Sequence, residues 1–385
     1  MVAVNRVLIV GGGIGGLTAG LALAQRGIEA EIVEARAELS ALGVGIIQNA
    51  NALRVLRGLG LLEETLAAGA QIDERRFCDE NGNAVVAANA LRTLDPNIPA
   101  INNIPRPEFH RILSTAARKA GVAIHMGDTV ADLTDTFGHV DVTFESGRSG
   151  RYDLVVGADG IRSALRQRLF PEHSVPVFTG YGFWRITLPR IAGLNFIGVY
   201  QGVNGTKAGL VPLSRDTMYL FLVTNEPGNP QLPRDSFVEL MRERMRGYGG
   251  PVGDVRDGLN DPGEIVYSPA EQVELPSPWY KGRVLLIGDA SHAILPHMAQ
   301  GAAMAQEDAA VLAELAASES SVPALLEKFM SRRYERCVFI QRVSRGMADQ
   351  QQKHDPVELK AHLQHLAKTL PGSWESVDRR LAEAI

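Results

Sequence analysis

The hydrophobic pattern at the start of the chain predicts a strand, a helix and a second strand. Residues 6–10 are almost continuously apolar, as in a parallel strand that is buried on both faces. A glycine-rich turn follows, and residues 17–25 have the small and apolar side chains of a helix that ends at Gly27. Residues 29–34 then predict a second short strand ending in an acid. The pattern predicts a βαβ unit in a parallel sheet.

The middle of the chain has a different pattern. Residues 75–88 predict a hairpin, and 195–201, 206–213 and 217–223 predict strands separated by turns. Alternation is clearest in the last, where Met218, Leu220 and Leu222 alternate with Tyr219, Phe221 and Val223. We therefore expect an antiparallel sheet inserted into the first domain. Residues 283–288 return to the buried parallel pattern.

The remaining residues are mainly helical in pattern. Helical spacing continues to about residue 350, with a loop expected at 313–321 and an amphipathic helix at 331–353. That helix would pack on the first domain or form a dimer contact, so a monomer and a homodimer both stay open. The predicted division is a first domain at 1–72, 100–177 and 276–350, a sheet domain at 73–99 and 178–275, and a C-terminal helical tail at 351–385.

Composition and charge exclude several classes of protein. The 385 residues carry 39 Lys+Arg against 44 Asp+Glu, a formal charge of −5, so no nucleic-acid partner is expected. No uninterrupted apolar run approaches the roughly 18 residues that span a bilayer, so no membrane partner is expected. Cys78 and Cys337 lack the spacing of a disulfide framework or a metal site. We expect a cytoplasmic protein without a structural metal.

The glycine-rich turn is a dinucleotide-binding fingerprint. Residues 11–16 read Gly-Gly-Gly-Ile-Gly-Gly, which matches G-x-G-x-x-G between the strand and the helix. Gly11 would form the tight turn, Gly13 would let the backbone approach a pyrophosphate, and Gly16 would allow close packing of helix and strand. Glu34 ends the second strand, where an acid hydrogen-bonds ribose hydroxyls, and Arg36 could cover an adenine.

Two later passages narrow the class of protein. In each of these passages a predicted strand ends in a turn that contains a glycine and an acid. The first is residues 153–163, Asp-Leu-Val-Val-Gly-Ala-Asp-Gly-Ile-Arg-Ser. The second is residues 288–308, which begins Gly-Asp-Ala-Ser-His and contains Pro-His-Met-Ala-Gln-Gly-Ala. With the first fingerprint, they resemble the motifs of para-hydroxybenzoate hydroxylase-type FAD-dependent monooxygenases, up to about residue 345. The sequence of residues 296–302 is similar to that of salicylate hydroxylase and 6-hydroxynicotinate 3-monooxygenase. Residues 184–185 and 209–214 are more similar to the quinolone and urate hydroxylases of the group.

The resemblance implies a fold and a set of cofactor-binding residues. The fold is α/β, with a Rossmann-like FAD-binding domain, an inserted antiparallel-sheet substrate domain and C-terminal helices. The implied residues are Gly11, Gly13, Gly15 and Gly16 at the pyrophosphate, Glu34 and Arg36 at the adenosine, Val130 at the adenine, Gly45 and Arg106 near the cofactor, Asp159 for FAD and the nicotinamide cofactor, Asp289 at the ribityl hydroxyls, and Pro296, Gly301 and Ala302 at the isoalloxazine.

The resemblance also implies a reaction. NADH or NADPH binds transiently and reduces the flavin, which reacts with O2 to give a C4a-hydroperoxide that hydroxylates a small aromatic or N-heteroaromatic substrate. Such chemistry needs a dry site and groups that activate the ring. His297 could move a proton, Tyr219 and Lys207 match substrate-facing positions of the urate-type members, and Arg185 could bind a carboxylate. Each also has an ordinary structural explanation as a loop, core or strand-end residue.

Two further expectations concern the apolar residues around the substrate and the alternative classes of flavoprotein. The expected walls are Ile47, Phe183, Trp184, Phe221 and Met298. A flavin halogenase would carry a W-x-W-x-I-P signature, whereas the three tryptophans of this chain stand apart from one another. An amine oxidase or a flavin-binding scaffold without oxygenase activity would share the first fingerprint, and the second and third fingerprints favour the monooxygenase.

Overall fold

The computed structural model describes residues 4–38, 44–202, 205–261, 265–351 and 356–385. The strands, numbered in chain order, are β1 (Arg6–Val10), β2 (Glu29–Glu34), β3 (Gly45–Asn49), β4 (Ala70–Ile72), β5 (Glu74–Cys78), β6 (Ala84–Asn89), β7 (Ile101–Pro105), β8 (Ala123–Met126), β9 (Val130–Asp135), β10 (Val140–Phe144), β11 (Ser149–Tyr152), β12 (Leu154–Gly157), β13 (Val177–Pro189), β14 (Ile197–Gln201), β15 (Lys207–Pro212), β16 (Thr217–Asn225), β17 (Val266–Gln272), β18 (Tyr280–Lys281) and β19 (Val284–Leu286). The helices are α1 (Ile14–Ala24), α2 (Ala50–Gly58), α3 (Leu62–Ala68), α4 (Arg106–Lys119), α5 (Ala164–Leu169), α6 (Phe237–Arg244), α7 (Gly250–Gly258), α8 (Asp289–His292), α9 (Gly301–Ser318), α10 (Val322–Gln351) and α11 (Pro356–Ala382).

The first sheet is the predicted parallel sheet. Its order is β18-β19-β12-β1-β2-β8, and every pair is parallel except the edge pair β18–β19. The apolar residues of β1 are almost fully buried, and α1 packs on β1 and β2 while α4 and α9 pack against α1. The predicted βαβ unit is therefore confirmed as β1, α1 and β2. The three strands that precede the fingerprint turns, β1, β12 and β19, lie side by side in the sheet.

The second sheet is built mainly from the middle of the chain. Its order is β17-β13-β16-β15-β14-β5-β6, and two smaller sheets have the orders β11-β10-β9 and β3-β7-β4. The pairs are antiparallel except β14 with β5. That pair is parallel because β5 belongs to a hairpin from much earlier in the chain, and parallel neighbours need such a long connection. The antiparallel prediction therefore holds for the middle segment but not for its junction with this hairpin.

The two faces of the second sheet pack against different parts of the molecule. One face, here called the outer face, carries Trp184, Leu220 and Leu222, which pack with Phe237 and Met241 of α6. The other face, here called the cavity face, points toward the first sheet. Residues of both faces are buried because a strand places successive side chains on opposite sides and both sides are covered. The alternation at 217–223 therefore separates two packed faces, not a core face from a solvent face.

The C-terminal helices differ from the sequence prediction at one point. The loop predicted at 313–321 is wrong, because α9 continues to Ser318 and α10 begins at Val322. Alanine and glutamate favour helix, and Leu315 and Ala316 are buried in the core, so tertiary packing and helix propensity agree. The amphipathic segment lies within α10, and its end at Lys353 falls outside the described residues. The helix α11 packs on β6 and α2. None of the helices in the described ranges is long and apolar enough to cross a membrane.

Candidate cofactor and substrate site

One cavity of about 1240 Å³ lies between the ends of the parallel strands and the cavity face of the second sheet. Such a position, outside the carboxyl ends of parallel strands, is where open α/β sheets bind ligands. Its volume exceeds the roughly 300–1,000 Å³ typical of a site for one small ligand, so a cofactor and a substrate can share it. The predicted site residues that line it are Gly13, Gly15, Gly45, Ile47, Arg106, Phe183, Arg185, Lys207, Tyr219, Phe221, Asp289, Pro296, His297, Met298, Gly301 and Ala302.

The glycines of the first fingerprint differ in what surrounds them. Gly11 has a φ of 112°, and a Cβ there would overlap the backbone of Ala158. A Cβ on Gly16 would overlap the carbonyl oxygen of Gly11, so these two glycines allow close packing between turn, helix and neighbouring strand. Gly13 has no atom within 4 Å of its Cβ position and lines the cavity at the start of α1. The open approach to a helix N-terminus suits a pyrophosphate.

Glu34 organises the same turn through its carboxylate. Its Oε2 accepts a hydrogen bond from the backbone N–H of Gly12 at 2.8 Å, and its Oε1 accepts one from the backbone N–H of Arg36 at 3.0 Å. The backbone N–H of Asp128 donates to the Glu34 carbonyl, which brings the start of β9, and so Val130, close to the end of β2. Glu34, Arg36 and Val130 thus stand around the end of the glycine turn, outside the cavity lining.

Glu34→Ala should weaken FAD binding by about 10- to 150-fold, because it removes a carboxylate that orders the turn and can accept hydrogen bonds from a ribose. Titration of the FAD-free protein with FAD, followed by flavin fluorescence, measures the effect. Glu29→Ala, at the exposed beginning of the same strand, is the matched control and should bind FAD as wild type does. Unchanged affinity in a folded Glu34→Ala protein would contradict the prediction.

Two carboxylates, Asp159 and Asp289, lie just after the ends of β12 and β19. Asp159 is half-buried, whereas Asp289 opens onto the cavity, and removal of Asp289 from bulk water raises its pKa against the positive charges of His292 and Arg106. Asp159 lies outside the cavity lining. Its Oδ2 accepts from the backbone N–H of Leu165 at 3.2 Å, while its buried Oδ1 has no hydrogen-bond partner within the described part of the chain. A buried oxygen without a donor is costly, so Asp159 Oδ1 fits a group that donates to it, and Asp289, which lines the cavity, can accept hydroxyl groups such as those of the ribityl chain of FAD.

The loop that joins α8 to α9 is held in a strained conformation. Ala299 has a φ of 52°, in the left-handed region that a non-glycine residue seldom adopts. The Nδ2 of Asn49 donates to the Ala299 carbonyl at 3.0 Å, and the Nδ2 of Asn51 donates to Oε1 of Gln300 at 3.0 Å. These bonds fix the loop that brings Pro296, His297 and the N-terminus of α9 to the cavity. The two asparagines were not predicted; their only sequence signal is that they follow an apolar strand.

A buried network of charges anchors this loop from behind. Asp308 accepts hydrogen bonds from His292 Nε2 at 2.7 Å, from Arg333 Nε at 2.8 Å and from the backbone N–H of Gly288 at 2.9 Å. Burial opposes ionisation of Asp308, but His292 and Arg333 outweigh it and lower its pKa to about 2. Burial alone would lower the pKa of His292, and Cys337 and Asp308 beside it raise that pKa well above its usual value. The Gly288-Asp289 turn is thus tied to α9 and α10.

The substrate end of the cavity combines aromatic rings with cations. Phe183, Phe221 and Tyr219 line it, and burial raises the pKa of Tyr219 to about 12, so its hydroxyl stays protonated. Burial lowers the pKa of Lys207 to about 7. Arg185 donates to Oγ of Ser268 at 3.2 Å, and burial lowers its pKa. Within the described ranges neither cation forms an ion pair with a carboxylate, so this end suits an anionic or strongly polar ring.

His297 lies between the loop and the aromatic wall. Its ring meets those of Phe183 and Tyr181 edge-on, with centroids 5.6 and 6.1 Å apart. Both ring contacts orient the imidazole, and the residue lines the cavity one position after Pro296. His297, which was predicted from the third fingerprint, therefore lines the same cavity as the predicted cofactor and substrate residues.

One predicted wall residue lies on the wrong side of the sheet. Trp184 is fully buried on the outer face, where its Nε1 donates to Oγ1 of Thr224 at 3.0 Å. Its neighbours Phe183 and Arg185 point into the cavity, because adjacent residues of a strand face opposite ways. Trp184 is therefore a core residue. The cavity also contains Arg75 and Trp374, which the sequence analysis did not single out.

The fold and this cavity define a flavoprotein of the FAD-binding α/β class with an added substrate sheet. The model of the FAD binding domain family matches residues 5–344, so the chain belongs to that family. Aurachin C monooxygenase/isomerase of Stigmatella aurantiaca is 32% identical over 334 residues, covering 86% of this chain and 85% of that protein. The 3-hydroxybenzoate 6-hydroxylase 1 of Aquipseudomonas alcaligenes is 29% identical over 362 residues, covering 90% and 89%.

A solved structure shows the same architecture. Klebsiella pneumoniae HpxO complexed with FAD and uric acid matches with a TM-score of 0.88 and 24% sequence identity, covering 98% of this chain and 96% of that chain. These similarities confirm the predicted family, the fold and FAD as the cofactor. They also confirm the class of enzyme, an FAD-dependent monooxygenase, because the relatives that match along most of the chain are monooxygenases and hydroxylases.

Proposed function

We propose that this FAD-dependent monooxygenase hydroxylates a small aromatic or N-heteroaromatic ring with an ionisable group, using O2 and NADH or NADPH. One observation carries the proposal: a single cavity joins a flavin-binding end to an aromatic end edged by Lys207 and Arg185. Relatives that match along most of the chain include a 3-hydroxybenzoate hydroxylase, which acts on a ring of this kind. We also propose the predicted division into an FAD domain, a substrate sheet and a C-terminal helical part.

The cofactor would be held by Gly13 and Gly15 at the phosphates, Asp289 at the ribityl chain, and Pro296, Gly301 and Ala302 beside the ring. When bound and reduced, FAD supplies the activation of O2 and the transfer of a hydroxyl group. The protein must then exclude water, and the apolar wall of Ile47, Phe221 and Met298 contributes to this by enclosing the ring.

The polar residues of the cavity have separate proposed roles in activating the substrate. His297 takes a proton from the ring hydroxyl or its nitrogen equivalent at Nδ1 or Nε2, a role that histidine commonly has as a general base. Tyr219 donates its O–H to the resulting anion. Lys207, which is buried, and Arg185, which is half-buried, balance negative charge on the substrate, since neither has a carboxylate partner in the described residues.

A substrate screen tests the proposed function. Purified FAD-loaded protein is mixed with hydroxylated benzoates, pyridines and quinolones, and NADH or NADPH consumption is followed with each ring. We expect at least one ring to accelerate consumption and to gain one oxygen atom by mass spectrometry. The proposal fails if consumption is never stimulated, or if the stimulating ring returns unchanged while only peroxide forms.

Lys207 should make the binding of an anionic ring depend on pH near neutrality. Because burial lowers the lysine pKa to about 7, the cation is present below that pH and lost above it. The KM for a carboxylate substrate, whose own charge is constant from about pH 6 upward, should therefore rise as the pH increases beyond about 7. Lys207→Arg keeps its charge and should remove the rise, whereas Lys281→Arg at the surface should not. A wild-type KM that is flat across this range would contradict the assignment.

A further inference from the structure

Arg75 is a buried cation on the cavity face that none of the sequence motifs indicates. It lies on β5, is 7% exposed and lines the cavity together with Phe77 of the same strand. Arg76, between them, points to the outer face, where it pairs with Glu74 and lies over the ring of Phe196 at 3.9 Å. The alternation along β5 therefore places one arginine in the cavity and its neighbour on the opposite face.

The guanidinium of Arg75 is positioned by two neutral residues. Its Nη2 donates to Oδ1 of Asn49 at 3.3 Å, and its Cζ lies 4.3 Å from the ring centroid of Trp374 on α11. A cation over an aromatic face is stabilised without being neutralised. The same Asn49 donates to the carbonyl of Ala299, so Arg75 is held against the residue that supports the flavin-side loop.

The positive charge of Arg75 is only weakly compensated by the protein. No carboxylate in the described part of the chain lies within 4.0 Å of it, although Asp378 acts on it from further away. Asp378 accepts the backbone N–H of Leu91 at 3.1 Å, and burial raises its pKa. Burial lowers the pKa of Arg75 to about 10, so the guanidinium remains charged at neutral pH. A buried charge of this kind is unfavourable unless an anion pairs with it.

The sheet separates Arg75 from the other arginine of the cavity face. The strands β5, β14, β15, β16 and β13 lie side by side, so four strand spacings separate the backbones of Arg75 and Arg185. At about 4.8 Å per strand this is about 19 Å. Most residues between them on this face are apolar, among them Ile197, Val199 and Phe221, although Lys207 and Tyr219 also lie on the intervening strands. The cavity therefore presents two arginines on either side of a mainly apolar floor that also carries Lys207 and Tyr219.

We propose that Arg75 binds an anionic substituent of the substrate, a carboxylate, at the edge of the cavity opposite Arg185. The guanidinium donates two N–H groups to the carboxylate while Asn49 and Trp374 hold it in place. The preferred substrates would then be aromatic acids whose carboxylate is remote from the edge that Arg185 contacts. This inference rests on the proposed function, since it assigns the chemical class of ring that the site accepts.

Calorimetric titration of the FAD-loaded protein with matched acids and amides tests the proposal. The probes are 3-hydroxybenzoate with 3-hydroxybenzamide, and 6-hydroxynicotinate with 6-hydroxynicotinamide. We expect wild type to prefer at least one acid over its amide by about 10- to 100-fold, the range of a charge-assisted hydrogen bond. Arg75→Gln should lose that preference, and Arg75→Lys should keep part of it. Arg76→Gln, one residue away on the outer face, is the matched control and should bind as wild type does.

Several outcomes would overturn the proposal. One is the absence of any preference for the acids in wild type, and another is a preference that persists in Arg75→Gln. A third is loss of NADPH affinity in Arg75→Gln with aromatic binding unchanged, which would assign the cation to the cofactor phosphate. FAD content and thermal unfolding of Arg75→Gln and Arg75→Lys show whether either variant is only misfolded. The substrate screen is independent, because a hydroxylated neutral ring would retain the proposed function while refuting the role of Arg75.

Discussion

Replacing His297 by alanine should lower ring hydroxylation by about 10²- to 10⁴-fold, the usual contribution of general acid–base catalysis, while FAD stays bound. His297 lines the cavity directly after Pro296, and its ring is oriented edge-on by Phe183 and Tyr181. Removing the imidazole leaves the glycine turn and Asp289 unchanged, so the flavin site is retained. What is lost is the group that deprotonates the ring.

The measurement is the ratio of hydroxylated product to NAD(P)H consumed. In His297→Ala this ratio should fall and peroxide should appear, because a ring that is not activated reacts too slowly with the oxygenating flavin. His139→Ala, in a surface turn, is the control and should couple as wild type does. A wild-type ratio in His297→Ala would remove this residue from the mechanism, and loss of FAD would assign it a structural role.

Tyr219→Phe tests the neighbouring group in the same assay and should have a smaller effect. It deletes one hydroxyl but keeps a ring whose centroid lies 6.2 Å from that of Phe221. Because burial raises the tyrosine pKa to about 12, the hydroxyl acts as a neutral donor. A hydrogen bond to an anion contributes about 1.5–3 kcal/mol, so a loss of about 10- to 150-fold is expected, below the upper range expected for His297→Ala.

Asp308→Ala should destabilise the fold by about 3–5 kcal/mol, the cost of breaking a buried ion pair by removing one partner. The substitution would remove the carboxylate that His292 and Arg333 share, would leave Arg333 paired only with Glu307, and would orphan the backbone N–H of Gly288. Urea unfolding at neutral pH measures the free energy. Asp349→Ala, which breaks the exposed pair with Arg345, should change it by no more than about 0.5 kcal/mol. A loss below about 1 kcal/mol for Asp308→Ala would contradict the prediction.

The same network should make stability depend on pH in a defined direction. The raised pKa of His292 means that its contribution is fully present below the unfolded value of about 6.5 and is lost as the pH rises through the folded value. The lowered pKa of Asp308 gives a contribution that is present above about 3.9 and lost as the pH falls toward about 2. In Asp308→Ala the histidine loses its main hydrogen-bond partner, so the decline of stability above about pH 6.5 should be smaller than in wild type.

Local patterns predicted the flavin-binding part of the molecule well. The apolar strand, the glycine turn and the acid at position 34 all lie within the first 34 residues of the chain. They are also close in space, because Glu34 accepts a hydrogen bond from the backbone of the glycine turn. The predicted βαβ unit was therefore confirmed, and Gly13, Asp289 and Pro296 line one cavity as the motifs implied. The failed loop at 313–321 shows the limit of this approach, because its residues favour helix and their burial is set by distant packing.

The substrate end depended on the tertiary structure. Trp184 and Arg185 are adjacent and equally plausible in sequence, yet only one faces the cavity, because both faces of the sheet are covered and alternation alone does not identify the inner one. Arg75 reaches the same cavity from β5, which pairs with β14 although the two strands are far apart in the sequence.

The sequence by itself thus determined the family, the cofactor and the turn that binds its phosphates, since a backbone held close to a phosphate requires glycines at set spacings. Only the tertiary structure decided which cations lie buried without a counter-charge, because burial and compensation of a charge depend on every element packed around it.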